Sequence, residues 1–450
     1  MFVKTIAIKL RNSMWFIPMM LVAGAILLAY ACLGIDDAAT ADFARYYPQP
    51  YAGGADSIRM MLSAIATSMI TVSGITFSLT ISSLAQVSGQ LTARVLRNFM
   101  SNLTNKLVLG FFVGLFAYCI VVIRTIRLKD DAAGAFIPAL SVFMAMALAV
   151  IGIGVLIYFI HYVALSVQAS TVVSSVADET LKTLKKLYPT LLSKNDQENS
   201  VTSPPVQAGR SEQVVLPHKH GYVQLIDEQR LRQFALDHGC VVRVDAGTGD
   251  FVTSQSPLVS LINLDQPVSQ SISQAINRAF SIHSTRTIDE ELAFGIRQLV
   301  DIALKALAPA ADDTTTAVLA LDYLSAILVD VAQRQLQPEL VTLSFIPKHP
   351  TFANLVNGAM DQIRDRAAGN TVVLTRLLFL LQTVAQPTTH SSRRSVLISH
   401  ARLIAEQADA TLHSDYQRSL VRQQLVETLL TLDEPEKGFS HLLQPVSAPA

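Results

Sequence analysis

Hydroxyl side chains are concentrated in one apolar stretch of the chain, residues 58–87. Projected at 100° per residue, they form two opposed stripes. One stripe contains Thr67, Thr71, Ser78 and Ser82, and the other contains Ser73, Thr76, Thr80 and Ser83. Such hydroxyls either pack helices together, through bonds to nearby carbonyl groups, or face water in an oligomeric pore. Both interpretations remain open from the sequence.

Residues for catalysis do not form a recognisable pattern. The ten histidines and three cysteines show no CxxC or HExxH spacing, and no nucleophile accompanies a general base. The turn AGTGD is too short for a phosphate loop, and no helix is predicted after it. We therefore expect a non-enzyme without cofactor or metal. One metal interpretation is the acidic set Asp289, Glu290, Asp312 and Asp313, although the last two also suit a helix N-cap.

A charged stripe occupies one face of the helix predicted near residue 300. Its members recur at spacings of three or four: Glu290, Phe294, Arg297, Asp301 and Lys305. This spacing permits Arg297–Asp301 and Asp301–Lys305 pairs. The stripe is interpreted as a solvated face or as a subunit or interdomain contact. Asp322, inside a later apolar run, is expected to be partly buried beside an arginine or a helix terminus.

Four long apolar runs occur in the chain, at residues 14–34, 58–87, 106–123 and 136–167. The second of them carries the two hydroxyl stripes. Half of the 450 residues are hydrophobic and the mean hydropathy is +0.38. Each run is predicted to be a transmembrane helix, because a helix satisfies its own backbone groups in lipid. In the third run, GFFVG places Gly110 and Gly114 at the spacing of closely packed membrane helices.

Basic residues predict the orientation of these spans. Lys and Arg precede the first run, separate the second from the third, and follow the fourth. Both termini are therefore expected in the cytoplasm. Because the net charge is zero, nucleic acid is not an expected partner. The second run exceeds the bilayer thickness, and the basic amphipathic segment after it is either an interfacial helix or a connector.

Composition divides the whole chain into five predicted segments. Residues 1–170 form the membrane domain, and 171–213 continue as a helical extension and flexible linker. A small α+β unit is predicted at 214–268, and a mostly helical domain at 269–433. The tail, 434–450, is expected to be disordered.

Several motifs resemble a bacterial family of predicted membrane proteins, domain of unknown function 2254. They are SMITVSGITFSLTISSLAQVSGQLTARVLRNF, LVLGFFVGLFAYCIVV, GYVQLID, GDFV, ELAFGIRQLVDIALKALAP, HPTF and DQIR. Asp312, Asp313 and Thr314 stand where Asn, Asp and Pro are usual in the family, so one acidic residue is kept and the proline is lost. Ala93 stands where a proline is usual before Arg94. The family-like positions, of unknown role, are Arg94, Asp289, Gly295, Arg297, Gln298, Asp301, Asp313, Gln362 and Arg364.

The resemblance implies a bacterial inner-membrane protein with four spans and a cytoplasmic C-terminal region. The predicted fold is a four-helix membrane bundle, then a cytoplasmic α+β domain and a mostly helical region. The first functional hypothesis is a homo-oligomeric, channel-like conduit with a cytoplasmic sensor or collar. The alternative is a membrane-anchored interaction or regulatory protein that transports nothing and binds a cytoplasmic protein partner.

Overall fold

A computed structural model describes residues 15–46, 54–90, 103–127, 138–166, 168–192, 212–336 and 344–433. The basic N-terminus, the amphipathic segment with Arg94, the linker and the C-terminal tail lie outside the described residues. The chain divides into two compact units, 1–171 and 172–450.

Long apolar helices build the first unit. They are α1 (Phe16–Tyr46), α2 (Gly54–Gln90), α3 (Leu103–Thr125) and α4 (Ala139–Ser166). Each contains a stretch long and apolar enough to cross a membrane. Helix α1 continues beyond residue 34, where the first apolar run was predicted to end, to Tyr46. In the C-terminal unit, a fifth helix, Thr314–Ala332, meets the same criteria of length and composition.

Close packing in the first unit depends on the two glycines of GFFVG. A Cβ atom added to Gly110 would lie 2.9 Å from Cα of Pro18, and one added to Gly114 would lie 3.3 Å from Cβ of Ala25. Helices α1 and α3 therefore touch where only glycine leaves room, which confirms the packing interpretation of this motif.

Asp36 joins the end of the apolar part of α1 to the start of α4. Its carboxylate accepts hydrogen bonds from the backbone N–H groups of Leu140 (2.8 Å) and Ser141 (2.9 Å), and from the Ser141 hydroxyl (2.6 Å). The hydroxyl of Tyr118, on α3, donates to the Ser141 carbonyl at 3.0 Å. Three helices thereby share one polar cluster, and the Asp36 carboxylate satisfies two of the N-terminal amides of α4.

The second unit begins with helix α5 (Ala169–Leu187), followed by two small sheets with two helices among their strands. The strands are β1 (Glu212–Val215), β2 (Gly221–Ile226), β3 (Val241–Val244), β4 (Phe251–Val252), β5 (Val259–Ile262), β6 (Phe280–His283) and β7 (Phe345–Ile346). One sheet has the order β1-β5-β3-β7, in which only β7 is parallel to its neighbour, and the other has the order β4-β2-β6. The helices are α6 (Glu228–Asp237) and α7 (Gln270–Asn277). Strands β6 and β7 lie beyond residue 268, where the α+β unit was predicted to end.

Helices form the rest of this unit. They are α8 (Leu292–Ala306), α9 (Thr314–Ala332), α10 (Phe352–Arg366), α11 (Thr371–Ala385), α12 (Ser391–Thr411) and α13 (Asp415–Thr431). The helical nature of this region was predicted correctly. Asp322, on α9, is half-buried and pairs with Arg376, on α11, as the sequence indicated.

The glycine packing can be tested in the membrane unit. We expect Gly110→Leu to lower the free energy of unfolding by about 1–3 kcal/mol, because the new side chain must force α1 and α3 apart. Gly154→Leu, on α4, is the control, since nothing lies within 4 Å of its added Cβ. Thermal unfolding in detergent measures both, and equal stability of the two variants would contradict the packing.

Candidate functional site

The two hydroxyl stripes of α2 have different surroundings within a single chain. Ser73, Thr76 and Ser83 are buried, and Thr80 is half-buried. The opposite stripe is exposed throughout, at Thr67, Thr71, Ser78 and Ser82. Several hydroxyls bond within the helix, as in the 2.7 Å bond from Thr71 Oγ1 to the Thr67 carbonyl. Gly74 lies in line with the exposed stripe and has open space around it.

A second candidate lies in the C-terminal unit, in a cleft of about 940 Å³ that we call the polar cleft. Its wall comes from the end of α5, strand β2, the β3–β4 turn, the start of α8 and the residues before α10. The charged or titratable residues in the wall are Tyr188, Glu228, Arg232, Asp250, Arg286, Glu290, Glu291, Lys348 and His349. This volume is in the range of small-molecule sites.

Arg286 and Glu291 form an ion pair in this cleft. Arg286 Nε donates to Glu291 Oε2 at 2.9 Å, and Nη2 donates to Oε1. Glu291 is only 7% exposed, and the guanidinium lies 5.0 Å from the ring centroid of Phe294. Burial acts to lower the pKa of Arg286, but the Glu291 carboxylate outweighs it and raises the pKa above its usual value. The guanidinium is therefore charged and fixed in direction.

The β3–β4 turn packs directly on this ion pair. Gly249 has a φ of +93°, and an added Cβ would overlap the Glu291 carboxylate. Asp250 Oδ2 accepts from the Gly247 N–H at 2.9 Å and from Lys348 Nζ at 2.7 Å. Only glycine combines this backbone conformation with this close approach. The turn is followed by a strand, so the sequence-based rejection of a phosphate loop is consistent with its structure.

At another side of the polar cleft, His349 Nε2 lies 3.2 Å from Glu228 Oε1. Burial acts to raise the pKa of Glu228, but His349 and Arg232 outweigh it and lower the pKa. Burial and the nearby Glu228 charge raise the pKa of Tyr188 to about 12. Glu228 is therefore an anion and Tyr188 a neutral phenol at physiological pH.

Helix α5 follows α4 in the chain and ends at the polar cleft. It begins three residues after α4 ends, and its last residue, Leu187, lines the cleft. An added Cβ on Gly295 would overlap Thr180, so α5 and α8 touch closely there. Lys186 Nζ pairs with Glu290 Oε1 at 2.6 Å, and the Tyr188 carbonyl accepts from Arg334 at 2.7 Å. The cleft end of α5 is therefore fixed by several independent contacts.

A smaller cavity of about 300 Å³ shares part of its wall with the polar cleft, including Arg286. Arg297 and Gln362 line it. Behind its wall, buried His400 places Nε2 2.9 Å from Asn357 Oδ1, while Nδ1 has no hydrogen-bond partner among the described residues. Burial is the main cause that lowers the pKa of His400, and Arg364 adds to it.

The charged stripe on α8 is not a solvated face, so that interpretation is wrong. No residue from Leu292 to Ala306 is exposed, and Phe294 is buried. Arg297 Nε pairs with Asp301 Oδ1 at 2.8 Å, as the spacing predicted. The stripe is partly covered, since the side chains of Glu290 and Arg297 are each 31% exposed and that of Asp301 is 12% exposed.

The other family-like positions have separate surroundings. Gln298 is 2% exposed, and its Oε1 has no hydrogen-bond partner among the described residues. Arg364 pairs with Asp361 at 2.9 Å. Asp313 is the N-cap of α9, as predicted, and accepts from the Thr316 N–H at 3.0 Å. The side chain of Asp289 lies outside the described residues.

The sequence pointed to the stretches that form the polar cleft but not to the cleft itself. GYVQLID, GDFV, ELAFGIRQ and HPTF each contribute to its wall or its supports. Lys348 and the Glu228–His349 pair were missed, because their partners are distant in sequence. Arg286 was missed because it lies five residues from Glu291, outside the spacings of three and four that mark a helical pair. Among the described residues, no three His, Cys, Asp or Glu side chains are grouped to hold a metal ion.

The apolar helices and the C-terminal unit define a multi-pass membrane protein. The family model described as "Predicted membrane protein (DUF2254)" matches residues 11–383. The chain therefore belongs to this family. It is 32% identical over 412 residues to uncharacterized proteins of Mycobacterium tuberculosis and Mycobacterium bovis, covering 87% of this chain and 77% of each relative. No solved structure matches.

The close contact of Gly249, in the β3–β4 turn, with Glu291 predicts that a side chain at position 249 lowers the stability of the C-terminal unit. We expect Gly249→Ala to lower the free energy of unfolding by about 2–4 kcal/mol, from backbone strain plus overlap with Glu291. Gly239→Ala is the matched control, because Gly239 also has a positive φ, of +60°, but open space around it. Chemical denaturation of both variants gives the difference, and equal losses would argue against the contact.

His400 predicts a pH dependence of stability. Because its pKa is lower in the folded than in the unfolded protein, protonation favours unfolding. Its contribution is complete above the unfolded pKa of about 6.5 and is lost as the pH falls below it. The midpoint of thermal unfolding between pH 7 and 5 should fall less in His400→Gln than in the wild type. The exposed His413→Gln variant should behave as the wild type.

Proposed function

We propose that this protein is a homo-oligomeric, channel-like conduit of the bacterial inner membrane, with its C-terminal unit as a cytoplasmic sensor. The observation that carries the proposal is the exposed hydroxyl stripe on α2, opposite a stripe that is already buried. In lipid, polar side chains prefer to face protein or a water-filled path rather than acyl chains. A shared axis between copies gives the exposed stripe such surroundings.

The proposal includes four spans, α1 to α4, with both termini in the cytoplasm. Helix α9 is the fifth apolar candidate, but it carries Asp322 and Asp330. One of these, Asp322, is paired with Arg376 on α11, and α9 lies between other helices of the C-terminal unit in the chain. These features favour α9 as a core helix of the C-terminal unit.

The sensor part of the proposal rests on helix α5. It follows the last proposed span, carries the close Thr180–Gly295 contact and ends in the wall of the polar cleft. A ligand in the cleft would contact residues fixed to this helix. Differential binding to two arrangements of α5 would then change the state of the membrane unit.

The alternative is a membrane-anchored regulatory protein without transport, and the polar cleft favours it independently. In that case the cleft receives a ligand or part of a cytoplasmic protein partner. The membrane helices then only anchor the unit. Neither proposal includes a catalytic step.

Cysteine cross-linking tests the proposed axis. The native cysteines, Cys32, Cys119 and Cys240, are buried and free, and they are replaced by alanine in the starting protein. We expect Ser78→Cys to form disulfide-linked dimers upon oxidation in native membranes. Ile153→Cys, exposed on α4, and Thr76→Cys, buried on α2, are the controls and should remain monomeric.

Ion flux through liposomes separates the two functions. The conduit predicts flux that Ser78→Phe reduces several-fold, because a bulky ring narrows the shared axis. Cross-linking without flux would support the regulatory alternative. Absence of both, or equal cross-linking at Ile153→Cys, would overturn the proposed axis.

A further inference from the structure

In the polar cleft, the Arg286 guanidinium is held by Glu291 on one side and faces the cleft with its remaining nitrogen. Two nitrogens of Arg286 are occupied by Glu291. The third, Nη1, makes no hydrogen bond with the residues that the structure describes, and the side chain remains 27% exposed in the cleft. A guanidinium held from behind by a carboxylate and an aromatic ring is prepared to bind an anionic group.

The same cleft contains a carboxylate with an unused oxygen. Asp250 Oδ2 is occupied by the Gly247 N–H and by Lys348. Its Oδ1 makes no hydrogen bond within the described part of the chain, and the side chain is 46% exposed. Glu290 is similar, with one oxygen bonded to Lys186. Free acceptors for a cationic group therefore lie in the same wall as the free donor edge.

The charge balance of the wall limits the ligand further. Arg232, Arg286 and Lys348 are opposed by four carboxylates, at Glu228, Asp250, Glu290 and Glu291. A simple anion would meet these carboxylates, and a simple cation would meet the three basic groups. A ligand with separated opposite charges satisfies both signs.

The apolar part of the cleft wall favours a ligand that also carries apolar groups. It is formed by Leu187, Leu225, Ile226, Leu292, Leu336 and Leu355. Together with a volume of about 940 Å³, it leaves room for apolar side chains beyond a single amino acid.

We propose that the polar cleft binds a short zwitterionic peptide, with its carboxylate on Arg286 and its ammonium group on Asp250. Apolar side chains of the peptide lie against the leucines of the wall. This inference names the ligand class of the proposed sensor, and it holds for the regulatory alternative as well.

The test uses the full-length protein in detergent with Cys32 and Cys119 replaced by alanine. Cys240, in the core of the α+β layer, then reports unfolding of the C-terminal unit through a thiol-reactive dye. We expect the tripeptide Ala-Leu-Ala at millimolar concentration to raise the unfolding midpoint by several degrees. Its N-acetylated and C-amidated forms should bind at least ten-fold more weakly.

Variants assign the two ends of the peptide. Asp250→Asn should weaken the free tripeptide at least ten-fold but leave the N-acetylated form unchanged, whereas Asp265→Asn, outside the cleft, should change neither. Arg286→Gln should remove the preference for a free carboxylate. Arg286→Gln leaves Glu291 buried and unpaired. If Arg286→Gln does not fold for this reason, the Asp250→Asn variant still tests the proposal.

Three results would overturn the inference. They are no shift with any form of the tripeptide, an equal shift with the free and blocked forms, and a larger shift with inorganic phosphate than with the tripeptide. Cross-linking at Ser78→Cys and ion flux are independent of this result, so failure of the ligand class and failure of the conduit are distinguishable.

Discussion

The close approach of Thr180 to Gly295 is the contact on which the C-terminal unit depends. A side chain at position 295 would overlap Thr180, so α5 and α8 can meet only because this residue is glycine. Helix α8 has no exposed residue along its length, and its first turn forms part of the polar cleft. The contact thereby fixes the end of α5 beside the Arg286–Glu291 pair.

Several polar side chains in the membrane unit form hydrogen bonds within their own helix or to a neighbouring helix. Asp36 caps α4, Tyr118 bonds to the same turn, and the hydroxyls of Thr71, Thr76 and Thr80 donate to carbonyls within α2. These bonds use the donor of each of the three hydroxyls and lower its cost in an apolar medium, but they leave acceptor capacity on each oxygen for protein or water. Self-association of α2 through its exposed stripe would then require only close packing and the remaining acceptor capacity.

Local patterns predicted much of this fold. The apolar runs marked α1 to α4, the glycine spacing marked α3 as a closely packed helix without indicating its partner, and the spacing of Arg297 and Asp301 marked their ion pair. Each depends on residues close in sequence or on composition alone. The length of α1 was underestimated, because its acidic end is polar yet remains helical.

The polar cleft could not be predicted, because it depends on contacts between distant segments. Gly249 meets Glu291, and Lys348 meets Asp250, only after the strands and helices have packed. Strand β7 likewise joins β3 across about a hundred residues, which no local period indicates. The solvated-face interpretation of α8 failed for the same reason, since a charged stripe does not reveal which helices cover it.

The oligomeric state of the purified protein most directly tests the proposal that α2 helices of several copies share one axis. The mass of the full-length chain in detergent, measured by light scattering with the detergent contribution subtracted, should be an integer multiple, greater than one, of 48.9 kDa. A further variant, Gly74→Leu, should reduce that mass, because it obstructs the exposed face of α2. A stable monomer of 48.9 kDa in lipid-like detergent would contradict the shared axis.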